Sequence, residues 1–150
     1  MKPVSEIQSV LDSNRFAVLA TQHEGQPHAS LMAFAPMGGV RYLIVATYRD
    51  TLKYRSLCKD GRVAILIDSR GISGSVSQRN LVVTAHGIAS EVPADYHEAA
   101  EQALLARHSD LSAFIGSPDC AMLRVDVIAY EVVAGTEDVL WYKVADLAPA

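Results

Sequence analysis

The chain has 150 residues, half of them hydrophobic, which is the length and composition of a single domain with one sizeable core. Its 13 basic and 17 acidic side chains leave a formal charge of −4. This balance argues against nucleic acid as the main partner, because phosphate contacts need a basic face. We therefore expect one globular domain over residues 1–150, in which a local cluster of donors must hold any bound anion.

The sequence contains no signal for export or membrane insertion. No apolar run reaches the roughly 20 residues that a spanning helix needs, and residues 1–6 are not followed by the apolar stretch of a signal peptide. Cys58 and Cys120 lie far apart without metal-ligand spacing, so we expect two reduced, largely buried thiols. These features predict a cytoplasmic protein that does not bind membranes.

The first part of the chain predicts a helix, a three-strand meander and a second helix. Apolar residues at helical spacing predict the first helix over residues 4–13, and apolar or β-branched runs separated by turn residues predict the strands. The predicted strands are 16–21, 28–35 and 40–47. Asp50 or Thr51 can then cap a short helix that ends at Lys59, before an Asp-Gly pair.

The second part of the chain adds further strands and one clear helix. The predicted elements are a strand over 62–68, a loop over 69–80, a strand over 81–92, a helix over 93–108, and strands over 120–133 and 139–144. Gly87 predicts a bulge or bend in the long strand. Since sequential strands without repeated β-α-β units favour antiparallel closure, we predict a mainly β fold, a Greek-key barrel of six to seven strands with peripheral helices.

The most informative stretch is the corner Thr47–Arg55, where a strand ends and a helix begins. Nine residues carry three basic side chains and two hydroxyls, although the protein as a whole is acidic. A helix N-terminus offers free N–H groups and a partial positive charge, which suits a phosphate. The local composition also fits a second interpretation, in which these charges are a solvated helix face with Arg49 paired to Asp50.

Several segments in order resemble the pyridoxamine 5'-phosphate oxidase-like, FMN-binding split β-barrels over most of residues 10–92. The segments are FAVLATQHEGQPHASLMAF, YLIVATYRDTLKYRSLCKDGRVAILID and LVVTAHGIASEV. A "G-x-P-x-x-S" element is present as Gly25 to Ser30, and a "T-x-x-x-[ST]-x-K" corner as Thr47, Thr51 and Lys53. The helix and closing strands after residue 104 also look like those of the group.

The resemblance implies a split-barrel homodimer with FMN at the subunit interface. The phosphate would be held by Thr47, Thr51 and Lys53, with Arg49 as a helper. The second strand would run beside the isoalloxazine, and the end of the fourth strand would line the same cleft. The implied strand residues are His28, Ala29, Ser30, Leu31 and Met32, followed by Asp68, Ser69 and Arg70 at the end of the fourth strand. Trp141 would cover the flavin from the partner subunit.

Two departures separate the chain from true pyridoxamine phosphate oxidases. Their "SRK"-like corner reads Thr51-Leu-Lys53 here, so Arg49 would replace the middle arginine, and their arginine-rich C-terminal signature is missing. Vitamin B6 oxidation is therefore not predicted. No side chain stands out as a catalytic acid or base, and the five histidines lack metal-ligand spacing, so we assign neither a catalytic residue nor a metal site.

The leading hypothesis is an FMN-dependent oxidoreductase or FMN-binding electron carrier, in which the cofactor performs the redox chemistry. A second hypothesis keeps the fold and changes the ligand to a deazaflavin or to haem, for which His28 or His86 would be the axial ligand. A third is a cofactor-free binding or regulatory module that uses the barrel to dimerise, since fold alone does not determine function.

Overall fold

The computed structural model describes residues 2–70, 80–135 and 138–147. In these ranges the helices are α1 (Pro3–Ser13), α2 (Leu52–Lys59), α3 (His97–Arg107) and α4 (Ser112–Ile115). The strands are β1 (Phe16–His23), β2 (Gln26–Met37), β3 (Tyr42–Tyr48), β4 (Arg62–Asp68), β5 (Leu81–Glu91), β6 (Cys120–Ala134) and β7 (Asp138–Lys143). None of the described helices is long and apolar enough to cross a membrane.

The strands form a closed antiparallel barrel. In the described residues the order is β3-β2-β1-β4-β5-β6-β7, and an additional pairing of β3 with β6 closes the first six strands. β4 returns to pair beside β1 after the β1–β3 meander, which is a Greek-key arrangement. β6 is long enough to pair with β3 along its first half and with β7 along its second. The predicted mainly β, antiparallel barrel is confirmed.

The bulge expected at Gly87 is present. His86 pairs with Ala129 of β6, whereas Gly87 pairs with Val127, so Ile128 is the extra residue. A Cβ atom at Gly87 would lie 3.0 Å from the carbonyl carbon of Asp126 and closer still to its oxygen. The backbones of β5 and β6 can approach this closely at the bulge because glycine has no Cβ atom.

Two apolar clusters stabilise the fold. The larger fills the barrel and takes in the apolar face of α1, whose buried residues have the helical spacing read from the sequence. Tyr130 is fully buried in it, and its hydroxyl donates to the Val40 carbonyl at 2.7 Å. The smaller cluster joins α3 and α4 to the outside of the barrel. Its members are Ala35, Ile44, Ala100, Leu104, Ile115 and Met122.

Some predicted boundaries were wrong for local reasons. β3 begins at Tyr42 instead of residue 40, because Gly38 and Gly39 adopt positive φ values of 65° and 70° and prolong the turn. The helix predicted over 93–108 begins as a single 3₁₀ turn and is α-helical from His97. α4 was not predicted. Within the loop predicted over 69–80, residues 71–79 lie outside the described residues.

The two cysteines occupy different environments. Both are free thiols, and Cys120 is buried as expected. Cys58 is exposed, so its predicted burial was wrong. The buried residues of α2 are Ser56 and Leu57, whereas Cys58 lies on the exposed side of this helix.

Candidate functional site

The β3–α2 corner has the geometry of a helix N-terminus open to a ligand. Thr51 is the N-cap: its hydroxyl accepts from the Tyr54 backbone N–H at 3.1 Å and donates to the Tyr48 carbonyl at 2.9 Å. This confirms the predicted cap. The first two residues of the helix, Leu52 and Lys53, have backbone N–H groups without an intrahelical acceptor, because no helical turn precedes them.

The three cations of the corner differ in their partners. Arg49 donates to a Glu91 carboxylate oxygen at 2.5 Å and to the Tyr54 hydroxyl at 3.1 Å. Arg55 pairs with Asp50 at 3.1 Å, so the Arg49–Asp50 pair suggested by the second interpretation of the corner was wrong. Lys53 has no hydrogen-bond or ion-pair partner among residues 2–70, 80–135 and 138–147, and burial lowers the pKa of its ammonium group.

The Arg49–Glu91 pair is stabilised from both sides. The hydrogen bond from Arg49 and a second one from the Tyr54 hydroxyl lower the pKa of the Glu91 carboxyl, so this group carries its charge at neutral pH. The Arg49 side chain is thereby held towards β5. Its predicted role as a helper for the phosphate stays a prediction.

Lys53 lines a cleft of about 340 Å³ between the corner and the α3–α4 region. The Thr47 hydroxyl lies at its base, only 3% exposed and 3.4 Å from the Thr51 hydroxyl. The structure therefore brings together five of the predicted site residues, which are Leu31, Met32, Thr47, Thr51 and Lys53. The rest of the lining was not predicted. It comprises Phe16, Ala33, Ala46, Tyr48, Leu104, Leu111, Phe114 and Ile115.

Six other predicted residues do not line this cleft in the described part of the chain. His28 and Ser30 are neighbours on the half of β2 that follows the β1–β2 turn, with His28 Nδ1 3.4 Å from Ser30 Oγ and Ala29 between them. Asp68 and Arg70 pair with each other at 2.9 Å, and the Ser69 N–H donates to the Leu81 carbonyl. The roles expected for these residues in cofactor binding stay predictions.

Trp141 lies at the opposite end of a continuous row on the outer face of the sheet. Register partners place Leu31, Val18 and Leu66 side by side on β2, β1 and β4, and the row continues through Thr84 and Glu131 to Trp141. Leu31, Leu66 and Trp141 are 74%, 39% and 58% exposed. This outer row is therefore mainly apolar, with Thr84 and Glu131 as its polar members, and it remains open to solvent in one chain.

The histidines considered as haem ligands have different surroundings. His28 is exposed on β2. On the outer face, His86 packs against the Trp141 ring, with a distance of 4.9 Å between ring centroids, and its Nε2 lies 3.6 Å from a Glu131 carboxylate oxygen. Among the described residues, no group of three or more His, Cys, Asp or Glu side chains has the arrangement of a metal site.

Comparison with known proteins gives one family and several related folds. The family model described as pyridoxamine 5'-phosphate oxidase matches residues 4–135. A heme binding protein from Mycobacterium smegmatis superposes with a TM-score of 0.83 at 23% identity, over 95% of this chain and 59% of that one. An FAD-binding protein from Mesorhizobium loti gives 0.71 at 19% identity, over 89% and 93%.

A third solved structure is a Clostridium acetobutylicum protein related to general stress protein 26, with a TM-score of 0.72 at 13% identity and 95% coverage of both chains. Because the sequence identities to these three proteins are low, the structural similarity establishes only a shared fold. The chain spans about three fifths of the Mycobacterium smegmatis protein's length. No protein of curated function matches the sequence.

Proposed function

Because the chain belongs to the pyridoxamine 5'-phosphate oxidase family, we propose that it is a cytoplasmic flavoprotein that binds FMN with the phosphate at the β3–α2 corner. The observation that carries this proposal is Lys53, a partly buried ammonium group that faces a cleft and has no partner in the described part of the chain. A cation that loses hydration without gaining a carboxylate is costly unless a ligand supplies the opposite charge.

The other groups of the corner fit a phosphate ester. The free N–H groups of Leu52 and Lys53 and the dipole of α2 favour an anion at this position. The Thr47 hydroxyl adds a donor at the base of the cleft. A dianionic phosphate would thus receive one full charge and several directed hydrogen bonds, although the whole protein has a charge of −4.

When bound, FMN would supply the redox chemistry, and the chain would bind it, orient it and exclude water. The described lining of the cleft contains no histidine and no carboxylate. We therefore assign no general acid or base to this chain. We propose that the protein is an FMN-dependent oxidoreductase or electron carrier. The Mesorhizobium loti protein, a related fold that binds FAD, supports a flavin as the ligand class.

Replacement of Lys53 by alanine tests the phosphate site. We expect Lys53→Ala to weaken FMN binding about 30-fold, because a charge-assisted contact worth about 2 kcal/mol is lost. Riboflavin, which lacks the phosphate, should bind both proteins equally. The dissociation constants can be measured by flavin fluorescence quenching.

The matched control is Lys59→Ala, because Lys59 is an exposed lysine in the last turn of the same helix. It should bind FMN as the unaltered protein does. Equal FMN affinity of the Lys53→Ala and Lys59→Ala proteins would contradict the phosphate site.

We also propose that the functional form is a homodimer that covers the outer row of Leu31, Val18, Leu66, Thr84, Glu131 and Trp141. Four of these six residues are apolar, and an exposed, mainly apolar sheet face of this kind marks an interaction site. A second copy would bring Trp141 of one subunit towards Leu31 of the other, since a two-fold interface pairs a surface with itself. This arrangement would bring C-terminal residues towards the partner's cleft.

Sedimentation equilibrium tests the dimer. The unaltered protein should sediment as a dimer, and Leu66→Glu should shift it to a monomer, because a further carboxylate without a cationic partner would be buried in a mainly apolar interface. Tyr96→Glu is the control, because Tyr96 is a partly exposed aromatic residue outside the outer row. A monomeric unaltered protein would refute the proposed assembly.

A further inference from the structure

A second cavity, of about 840 Å³, lies where β3 begins. We call it the distal cavity, because Tyr42 at the start of β3 lines it and Tyr48 at the end of β3 lines the cleft at the corner. The two residues are separated by about 20 Å of extended strand. In the described part of the chain, the distal cavity shares no lining residue with that cleft or with the outer row. Its volume is typical of a small-molecule site.

Two irregularities of the sheet meet at the distal cavity. The β2–β3 turn, residues 38–41, lines one side, and Val127 and Ile128 of the β6 bulge line another. The Val127 N–H donates to the Arg41 carbonyl at 3.0 Å, and the buried Tyr130 hydroxyl donates to a second carbonyl of the same turn. These bonds fix the walls before a ligand arrives, which lowers the entropic cost of binding. Bulges are frequent beside functional sites, and the proposed flavin site uses neither this bulge nor this turn.

The charges of the lining favour a ligand with a single negative charge. Asp126 lines the cavity, but both of its carboxylate oxygens accept from the Arg124 guanidinium, at 2.7 and 3.3 Å. Arg41 also lines the cavity and has no carboxylate partner among the described residues; its guanidinium lies 5.7 Å from the centroid of the Tyr42 ring. One cation is thus left to be balanced, whereas a phosphate dianion would be repelled by Asp126.

The rest of the distal cavity is mainly aliphatic. Ile128 is 59% exposed, so a ligand with a hydrocarbon chain would cover apolar surface that one chain leaves in water. A sugar would instead place hydroxyl groups against this surface without partners. The branched aliphatic residues of the described lining are Val4, Val40, Val127, Ile128, Val144 and Leu147.

We infer that the distal cavity binds a small aliphatic monocarboxylic acid, with the carboxylate on Arg41 and the hydrocarbon chain against the branched side chains. A guanidinium suits this role, because it offers two parallel N–H donors to a carboxylate and keeps its charge at any physiological pH. The site lies apart from the corner and takes a ligand of another chemical class. It therefore goes beyond the proposed flavin site and does not depend on it.

Octanoate is the probe, and nitrogen–proton correlation NMR of the full chain reports where it binds. We expect saturable shifts of the amide signals of Gly38, Gly39 and Ile128, which line the distal cavity. Octanol, which has the same chain length without the charge, should bind about tenfold more weakly, because it lacks the charge-assisted contact with Arg41. Octylamine, a cation, should bind more weakly still.

Two variants test the two halves of the distal cavity. Arg41→Gln should raise the dissociation constant of octanoate about tenfold and leave that of octanol unchanged. Arg62→Gln is its control, because Arg62 is an exposed arginine outside the cavity. Ala145→Trp, which fills the cavity from an exposed position of its lining, should abolish binding of both compounds. Ala99→Trp, on the exposed side of α3, should abolish neither, and circular dichroism shows that each variant is folded.

Three results would overturn the inference. The first is the absence of saturable shifts around the β2–β3 turn. The second is equal octanoate affinity of the Arg41→Gln and Arg62→Gln proteins. The third is a set of shifts confined to the cleft around Lys53, which would place the fatty acid at the corner instead. None of these results bears on FMN binding, which is measured separately.

Discussion

Substitution of Gly87 by alanine should lower the free energy of unfolding by about 3 kcal/mol, at the upper end of the cost of overpacking. The new Cβ would lie 3.0 Å from the Asp126 carbonyl carbon and 3.0 Å from Val125 Cγ1, and closer to the Asp126 oxygen. These are mainly backbone atoms of the neighbouring strand, which cannot move without breaking the β5–β6 pairing that continues on both sides of the bulge.

Urea denaturation followed by circular dichroism measures this effect. Gly25→Ala is the control, because its Cβ would meet nothing within 4 Å and the cost comes only from the left-handed φ of 82°. That strain should cost about 1 kcal/mol. If Gly87→Ala were no more destabilising than Gly25→Ala, the close approach of β5 and β6 at the bulge would be disproved.

Replacement of His108 by alanine should cost about 3 kcal/mol, for two reasons that act together. The imidazole ring is 1% exposed, so its removal leaves a cavity. Its Nε2–H donates to the Phe34 carbonyl at 3.0 Å, and that buried acceptor would lose this bond. The ring also packs edge-on against Phe16, with a distance of 5.6 Å between ring centroids.

Thermal and urea unfolding give the stability of the variant, and His97→Ala provides the comparison. His97 is the exposed first residue of α3, 3.9 Å from Glu101, and its loss should change stability by less than about 0.5 kcal/mol. Because His108 follows α3 and precedes the cleft-lining residues Leu111 and Phe114, its loss should also weaken flavin binding. Equal stability of the two variants would show that His108 does not join this region to the barrel.

The strands and the cationic corner could be predicted because their signals are local. Residues 63–67 are a continuous apolar run between two charged residues, and β4 has the predicted bounds Arg62–Asp68. Thr51 is a threonine immediately before a helical segment, which is where an N-cap is expected. The family resemblance then added the order of the segments, which the match over residues 4–135 confirms.

The partners within the corner could not be predicted, because they come from distant parts of the chain. Glu91, which binds Arg49, is 42 residues away in sequence, and its contact follows only from the pairing of strands around the barrel. A pair between Arg49 and its sequence neighbour Asp50 was the interpretation that local composition offered, and it was wrong. That Lys53 lacks a partner among the described residues follows from the same three-dimensional arrangement, since each arginine of the corner has its own carboxylate.

The helical part of the cleft lining, which includes Phe114 and Ile115, was missed for a different reason. α4 has only four residues, and the Ser-Gly-Ser-Pro composition around it has low helix propensity. Tertiary contacts stabilise it instead, through Ile115 in the small core and Phe114 against Tyr48. Phe114 stood out neither in motif nor in charge, so no signal in the sequence marked it as part of a site.

The absorption spectrum of the purified protein, recorded before and after addition of FMN and removal of the excess, tests whether the cleft is an FMN site. We expect flavin bands that stay with the unaltered protein, and we expect Lys53→Ala to lose them at protein concentrations near the dissociation constant. A Soret band would identify haem as the ligand instead. A spectrum without flavin bands in both samples would contradict the assignment of the cleft as an FMN site.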